Sequence, residues 1–285
     1  MAEPILLGAH MSIQGGMHKA FERAELVNCN TMQVFTKQSN KWAGRDYTEV
    51  EIREFRSAAA RTGIHPVVAH ASYLINLCSP NEDTHTRSRL ALRDELSRCE
   101  QLGILGLVLH PGAHLEIGEA EGIKEIAESL NVVHSQTPNV RALSILETTA
   151  GQGTTLGYRF EQLQAIIELV DETKRMAVCI DTCHVFAAGY NIGTAEGWER
   201  TMEEFNSVLG LDRLAVIHVN NSKKELGSRV DRHEHIGRGR IGLQGFESLI
   251  CDPRLAHIPK ILETEKSEDL HEDRENLNLL RSLYR

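Results

Sequence analysis

No Cys-x-x-Cys pair occurs among the six cysteines, which lie scattered at positions 29, 78, 99, 179, 183 and 251. That spacing gives neither a disulfide framework nor a cysteine-type zinc site, so the thiols read as reduced and mostly buried, Cys183 among them. No apolar run reaches the length a bilayer span needs, and the opening residues carry no basic start before a long apolar stretch. A soluble, cytoplasmic protein without a membrane partner is expected. Basic residues are in deficit: 31 Lys and Arg against 40 Asp and Glu leave a formal net charge of -9. This excludes nucleic-acid binding through overall basicity but not local binding, because divalent ions held by clustered histidines and carboxylates reverse the field around them. Also missing is a glycine-rich dinucleotide fingerprint, since Gly8-Ala-His-Met-Ser does not supply GxGxxG. Its absence counts against an open doubly wound sheet.

With 41% hydrophobic residues over 285 positions, the composition fits one large barrel or two smaller domains. The order of elements decides between them. Strand-like runs end near His10, Thr36, His70, His110, Glu147, Asp181, His218 and Glu263, and amphipathic helical patterns separate most of them. No linker, low-complexity segment or internal repeat marks a boundary. The expected architecture is α/β, a single (β/α)8 TIM barrel across residues 1–285 with its site at the C-terminal mouth of the strands. The long polar stretch after His218, running to Gly242, is expected to carry function.

The centre of this pattern is the stretch Val178-Cys-Ile-Asp181-Thr-Cys-His184, an apolar strand that ends in a carboxylate with an imidazole three residues on. In isolation, Asp-x-x-His reads as a helix N-cap followed by a surface histidine. Repetition argues otherwise, because His70, His110, Glu147, His218 and Glu263 close other strands in the same way. The barrel brings these to one mouth with Asp181, and His184 lies just beyond. Asp231 and His233, two residues apart in an extended loop, point the same way. Nine donors exceed what a single ion takes, so two or three ions are expected, with at least one bridging carboxylate. Mixed imidazole and carboxylate ligation favours zinc, with manganese or iron as alternatives, over magnesium. Taken singly, each histidine is equally well a hydrogen-bonding group of the mouth. His10, His114 and His235 are read as supports for ligands rather than as ligands. His18, His65, His85, His134, His257 and His271 are given no role.

Several longer strings now coincide: Ser72-Tyr-Leu-Ile-Asn-Leu77, His110-Pro-Gly, Leu146-Glu-Thr-Thr-Ala-Gly-Gln-Gly-Thr154, Asp181 through Tyr190, His218-Val-Asn-Asn-Ser-Lys223 and Asp231 through Gly242. In these the chain resembles the endonuclease IV family of abasic-site DNA endonucleases along nearly its whole length. The resemblance implies a trinuclear zinc site that hydrolyses the phosphodiester 5′ to an abasic site, leaving a 3′-hydroxyl and a 5′-deoxyribose phosphate. It implies that His70 and His110 hold one zinc and that Glu147 bridges to a second on Asp181, His218 and Glu263. A third would rest on His184, Asp231 and His233, and Glu147 is the implied catalytic base. The implied partner is double-stranded DNA with an abasic site, bound by a monomer that is nucleoid-associated when acting.

Tyr73 and Leu74 match the family's inserted residues and suit a wedge into the vacated base stack. Lys37, Asn40, Lys41, Lys223, Arg238 and Arg240 lie in loops expected at the mouth and are read as DNA contacts. The chain departs from the family pattern at Asn40, where one branch carries an intercalating arginine, at Asn221, commonly Asp, and at Glu265, commonly Pro. None removes a proposed ligand. The rival readings are a metal-dependent sugar isomerase or epimerase on the same barrel, and a damage-binding protein that does not cut.

Overall fold

The computed structural model describes residues 5–284. Its first half runs β1 (Leu7–Met11), α1 (Lys19–Leu26), β2 (Thr31–Phe35), α2 (Glu49–Thr62), β3 (Val67–His70), α3 (Glu82–Leu102), β4 (Gly106–Leu109), α4 (Glu119–Gln136) and β5 (Leu143–Glu147). Then come α5 (Phe160–Glu168), β6 (Met176–Asp181), α6 (Thr182–Ala188), α7 (Ala195–Val208), β7 (Leu214–His218), β8 (Asn221–Ser222), β9 (His233–Glu234), α8 (Leu243–Cys251), β10 (Lys260–Leu262) and α9 (His271–Leu283). Eight strands close a parallel barrel in the order β1-β10-β7-β6-β5-β4-β3-β2. The expected TIM barrel is therefore the observed one.

Alternation along the strands explains how the barrel aims its side chains. Val68, Val108, Ile145, Cys179, Val216 and Ile261 form an apolar plug inside the barrel with Ala177. Two residues further along each strand, on the same face, stand His70, His110, Glu147, Asp181, His218 and Glu263. The plug is thus the floor on which the polar layer rests. Gly8 lets β1 and β2 close, since a Cβ there would lie 2.0 Å from the Thr31 carbonyl oxygen.

Outside the barrel the helices bury their apolar faces against the strands. Phe21 of α1 meets Phe55 of α2 edge-on at 4.9 Å between ring centroids, and removing either ring would cost about 3–5 kcal/mol. Helix starts follow capping chemistry: Thr48 and Glu51 form a capping box on α2, and Asn81 accepts the Thr84 amide on α3. Both helices stop at a left-handed glycine, Gly63 and Gly103.

Two details differ from the sequence reading. His110 and Glu263 stand one residue beyond their strands. The polar stretch after β7 is not plain loop but folds back through the antiparallel β8–β9 ladder, in which Asn221 pairs with Glu234 and Ser222 with His233. That ladder turns His233 back over the mouth.

Candidate metal centre

Glu147, fully buried at the end of β5, is the hub. Its Oε2 lies 3.1 Å from His70 Nε2 and 3.2 Å from His110 Nε2. The other oxygen, Oε1, lies 2.8 Å from His218 Nδ1. His218 Nδ1 is also 3.0 Å from Glu263 Oε2 and 3.9 Å from Asp181 Oδ2. Beside this, His184 Nε2 and His233 Nε2 lie 3.1 Å and 3.4 Å from the two oxygens of Asp231. The donors fall into three groups, His70 with His110 and Glu147, then Glu147 with Asp181, His218 and Glu263, and finally His184 with Asp231 and His233.

Four of the imidazoles have one nitrogen engaged elsewhere, which leaves the other for the centre, His233 through its Nδ1 and the Glu263 carbonyl at 3.4 Å. His70 Nδ1 donates to the Ala71 carbonyl and His184 Nδ1 to the Thr148 carbonyl, both at 2.8 Å. These two rings therefore present Nε2. His218 is turned the other way: its Nε2 donates to Gln33 Oε1 at 2.8 Å, so Nδ1 faces the carboxylates. This is how metal-binding histidines are oriented by the groups behind them. His184 Nε2 and His233 Nε2 are buried without a well-aligned hydrogen bond. A cation held between these groups would satisfy both nitrogens, so the residues fit divalent ions.

The electrostatics point the same way. Burial alone would raise the pKa of Glu147, but His218 and His110 outweigh it and hold the carboxyl well below its usual range. Burial pushes His184 down, and Asp181 and Asp231 more than reverse it, so the ring ends well above the ordinary histidine value. Burial would raise Asp231 too, but His184 overcomes it and brings the carboxyl down to about 2. A field that draws protons onto buried imidazoles draws divalent cations to the same place.

A cavity of about 290 Å³ opens over Glu147, His184, Asp231 and His233, with Tyr73 at its edge. Comparison with known proteins gives this geometry a family. The description Xylose isomerase-like TIM barrel matches residues 21–283. A probable endonuclease 4 of Chloroflexus aggregans is 49% identical over 98% of this chain and 97% of its own. One from Geobacter sulfurreducens is 52% identical over 98% and 94%. The crystal structure of endonuclease IV from Thermus thermophilus superposes with a TM-score of 0.86 at 34% identity, covering 97% of this chain and 98% of that one. The chain belongs to the endonuclease IV family. A D-tagatose 3-epimerase-like protein, at 18% identity and a TM-score of 0.73 over 97% of both chains, shares the barrel fold.

All nine ligand candidates of this family member meet at the mouth. The second tier divides. His10 touches the centre, accepting from Gln33 at 3.0 Å, and burial lowers its pKa to about 4. His235 instead pairs with Asn276 on α9 at 3.0 Å, and His114 packs against Gly122 on α4. Neither supports a ligand, contrary to expectation.

Among the expected DNA contacts, Tyr73 is 71% exposed and meets Phe35 edge-on at 5.5 Å, while Leu74 is half-buried beside it. Asn40, Lys41 and Lys223 are exposed. Arg238 and Arg240 are exposed but paired with Glu275 at 3.0 Å and Glu225 at 3.1 Å. Lys37 requires correction: it is buried, with its ammonium 2.7 Å from Glu95, because α3 packs under the loop that carries it. It presents no free charge to a phosphate.

Three supporting groups were missed in the sequence. Gln33 joins His218 to Glu263, donating to Glu263 Oε1 at 2.5 Å. Asn220 donates to Asp181 Oδ2 at 2.6 Å and accepts the Glu263 amide at 2.8 Å. Arg232, between two ligand candidates, lines the cavity. For Gln33 a signal existed: an amide between Met32 and Val34, on the strand face opposite to theirs.

Proposed function

We propose that the protein is a metal-dependent endonuclease that hydrolyses the phosphodiester 5′ to an abasic site in double-stranded DNA, producing a 3′-hydroxyl and a 5′-deoxyribose phosphate. The observation that carries this reading is the meeting of three donor groups at one cavity, two of them sharing Glu147, in a chain about half identical to proteins named endonuclease 4. His70, His110 and Glu147 would hold one zinc; Glu147, Asp181, His218 and Glu263 a second; His184, Asp231 and His233 a third. Manganese or iron suits the same donors. Such ions supply the positive charge that stabilises a phosphoryl group as it gains a nucleophile and loses its 3′-oxygen.

The chain's own residues do the rest. Glu147, kept ionised, takes the proton of the attacking water. Gln33, Asn220 and the Thr148 carbonyl hold His218, Asp181 and His184 in place. Tyr73 and Leu74 occupy the gap left by the missing base. An abasic nucleotide has little stacking to lose, so turning it into the cavity is cheap, whereas an intact nucleotide pays for unstacking. Action on chromosomal DNA would place a monomer at the nucleoid, in the cytoplasm.

The test is incision of a duplex carrying one tetrahydrofuran abasic analogue, which cannot undergo β-elimination. A single cut on the 5′ side with an extendable 3′-hydroxyl, absent on undamaged duplex, is the expected result. No cut by metal-replete protein would overturn the reading and direct the search to sugar epimerisation.

A further inference from the structure

Glu95 lies on the buried face of α3 with Ala91, Leu92, Leu96 and Cys99, and is itself 1% exposed. A carboxylate in that position is costly unless paired. Its partner is Lys37, whose side chain is equally hidden. Replacing such a buried pair by apolar residues is often neutral or stabilising, so stability alone is a poor account of it.

The bonds around the pair suggest a better one. Lys37 Nζ donates to Glu95 Oε1 at 2.7 Å and to the Lys41 carbonyl at 2.9 Å, which closes the turn 37–41. The same Glu95 oxygen accepts the Ser72 amide at 3.2 Å. Ser72 Oγ donates to the Ser39 carbonyl at 2.6 Å and accepts the Leu74 amide at 3.3 Å. One turn along α3, Arg98 donates to the Gly44 carbonyl at 3.0 Å, with its guanidinium 5.0 Å from the Tyr47 ring. Helix α3 therefore ties down both ends of the β2–α2 loop, and through Ser72 it ties that loop to the turn carrying Tyr73 and Leu74.

We propose that Glu95 is a positioning residue that joins the 37–41 loop and the 72–74 turn into one rigid jaw beside the mouth. The inference rests on the nuclease reading above for its consequence, the grip on damaged duplex. Asn40 and Tyr73 both line a cavity of about 550 Å³ that reaches Glu263. Holding both segments before DNA arrives removes an ordering cost from binding. Neither Glu95 nor Lys37 lines the cavity over Glu147, while Tyr73 on the turn they hold does, so the pair acts there only through the placement of that turn, and its main effect falls on binding.

Two variants test this. Glu95→Gln combined with Lys37→Met removes both charges and strands neither; Ser72→Ala cuts the direct Ser72–Ser39 link, together with the Leu74 amide bond, and leaves the Glu95–Lys37 pair in place. With the tetrahydrofuran duplex, each is expected to raise KM about tenfold while kcat stays within about threefold, with bound metal unchanged. In the free protein, amide hydrogen exchange is expected to speed up in residues 38–42 and 72–76 together, with α3 still protected. Unchanged KM and exchange in both variants, or exchange that rises across α3 as a whole, would overturn the proposal. If the wild-type protein does not cut, the nuclease reading fails, and the exchange experiment alone still decides whether the jaw exists.

Discussion

Asp181 caps the helix that carries His184: its Oδ1 accepts the His184 amide at 2.8 Å, while Oδ2 takes the Asn220 amide at 2.6 Å and lies 3.7 Å from His233 Nε2. The capping and ligand readings of Asp-x-x-His are thus not alternatives, since one carboxylate can serve both through different oxygens. A strand that ends in an N-cap places the first turn of the next helix, and hence His184, directly above the barrel floor.

Replacing Asp181 separates these roles. Asp181→Asn keeps an acceptor for the cap but turns an amide toward the Asn220 amide, and is expected to cost about 1–3 kcal/mol in ion-stripped protein. Adding Asn220→Asp reverses that donor and acceptor pair and is expected to recover most of the loss in a denaturant titration. Metal content should remain below wild type in both. Full metal content in the single variant would show that Asp181 is not a ligand.

Glu147→Gln keeps the shape of the hub and removes its charge. Bound metal is to be measured alongside, because Glu147 is also shared by two of the donor groups. Turnover per metal-loaded protein on the abasic duplex is expected to fall by about a hundredfold or more, in the range for a lost general base. Duplex affinity, measured by fluorescence anisotropy, should change by only a few-fold. Equal losses in binding and turnover would remove Glu147 from the chemical step.

The strand-end residues were legible because alternation along a strand is local, and every one of them repeats the same offset from the apolar plug. What escaped was non-local. Lys37 reads as a DNA-contacting loop lysine until α3, 58 residues away, brings Glu95 beneath it. The β8–β9 ladder, with two residues per strand, is too short for any periodic signal. His114 and His10 look alike in sequence and differ only in which neighbour the fold supplies.

Asn221, the departure from the common Asp, also becomes intelligible. Its Oδ1 accepts the Ile241 amide at 2.9 Å and its Nδ2 donates to the Ile241 carbonyl at 3.1 Å. Gly239 allows the approach, since a Cβ there would sit 2.5 Å from that Oδ1. A carboxylate cannot make the second bond. Asn221→Asp is expected to lower stability by about 1–3 kcal/mol through an unpaired buried carbonyl and to speed amide exchange in residues 239–241. Unaltered melting would mean that the loop re-forms around the carboxylate.

Lys260, in β10, is buried with its ammonium donating to the Leu255 carbonyl at 2.6 Å and the Ile258 carbonyl at 2.9 Å. Burial lowers its pKa to about 8 from an ordinary 10.5, with Asp252 opposing weakly. The folded state therefore binds this proton less tightly than the unfolded chain does, so the penalty is fully present below about pH 8. It is relieved as pH rises toward 10.5. A gap of this size corresponds to about 3 kcal/mol, of which about 2 kcal/mol is recovered by about pH 9.5. Lys260→Met has no such proton to lose. Stability relative to that variant should therefore shift in favour of wild type by about that amount between about pH 7 and about pH 9.5. Buried thiols such as Cys29, pushed up to about 12, weaken both proteins alike over this range and cancel in the difference. Parallel stability curves for the two proteins would show that Lys260 titrates as an ordinary lysine.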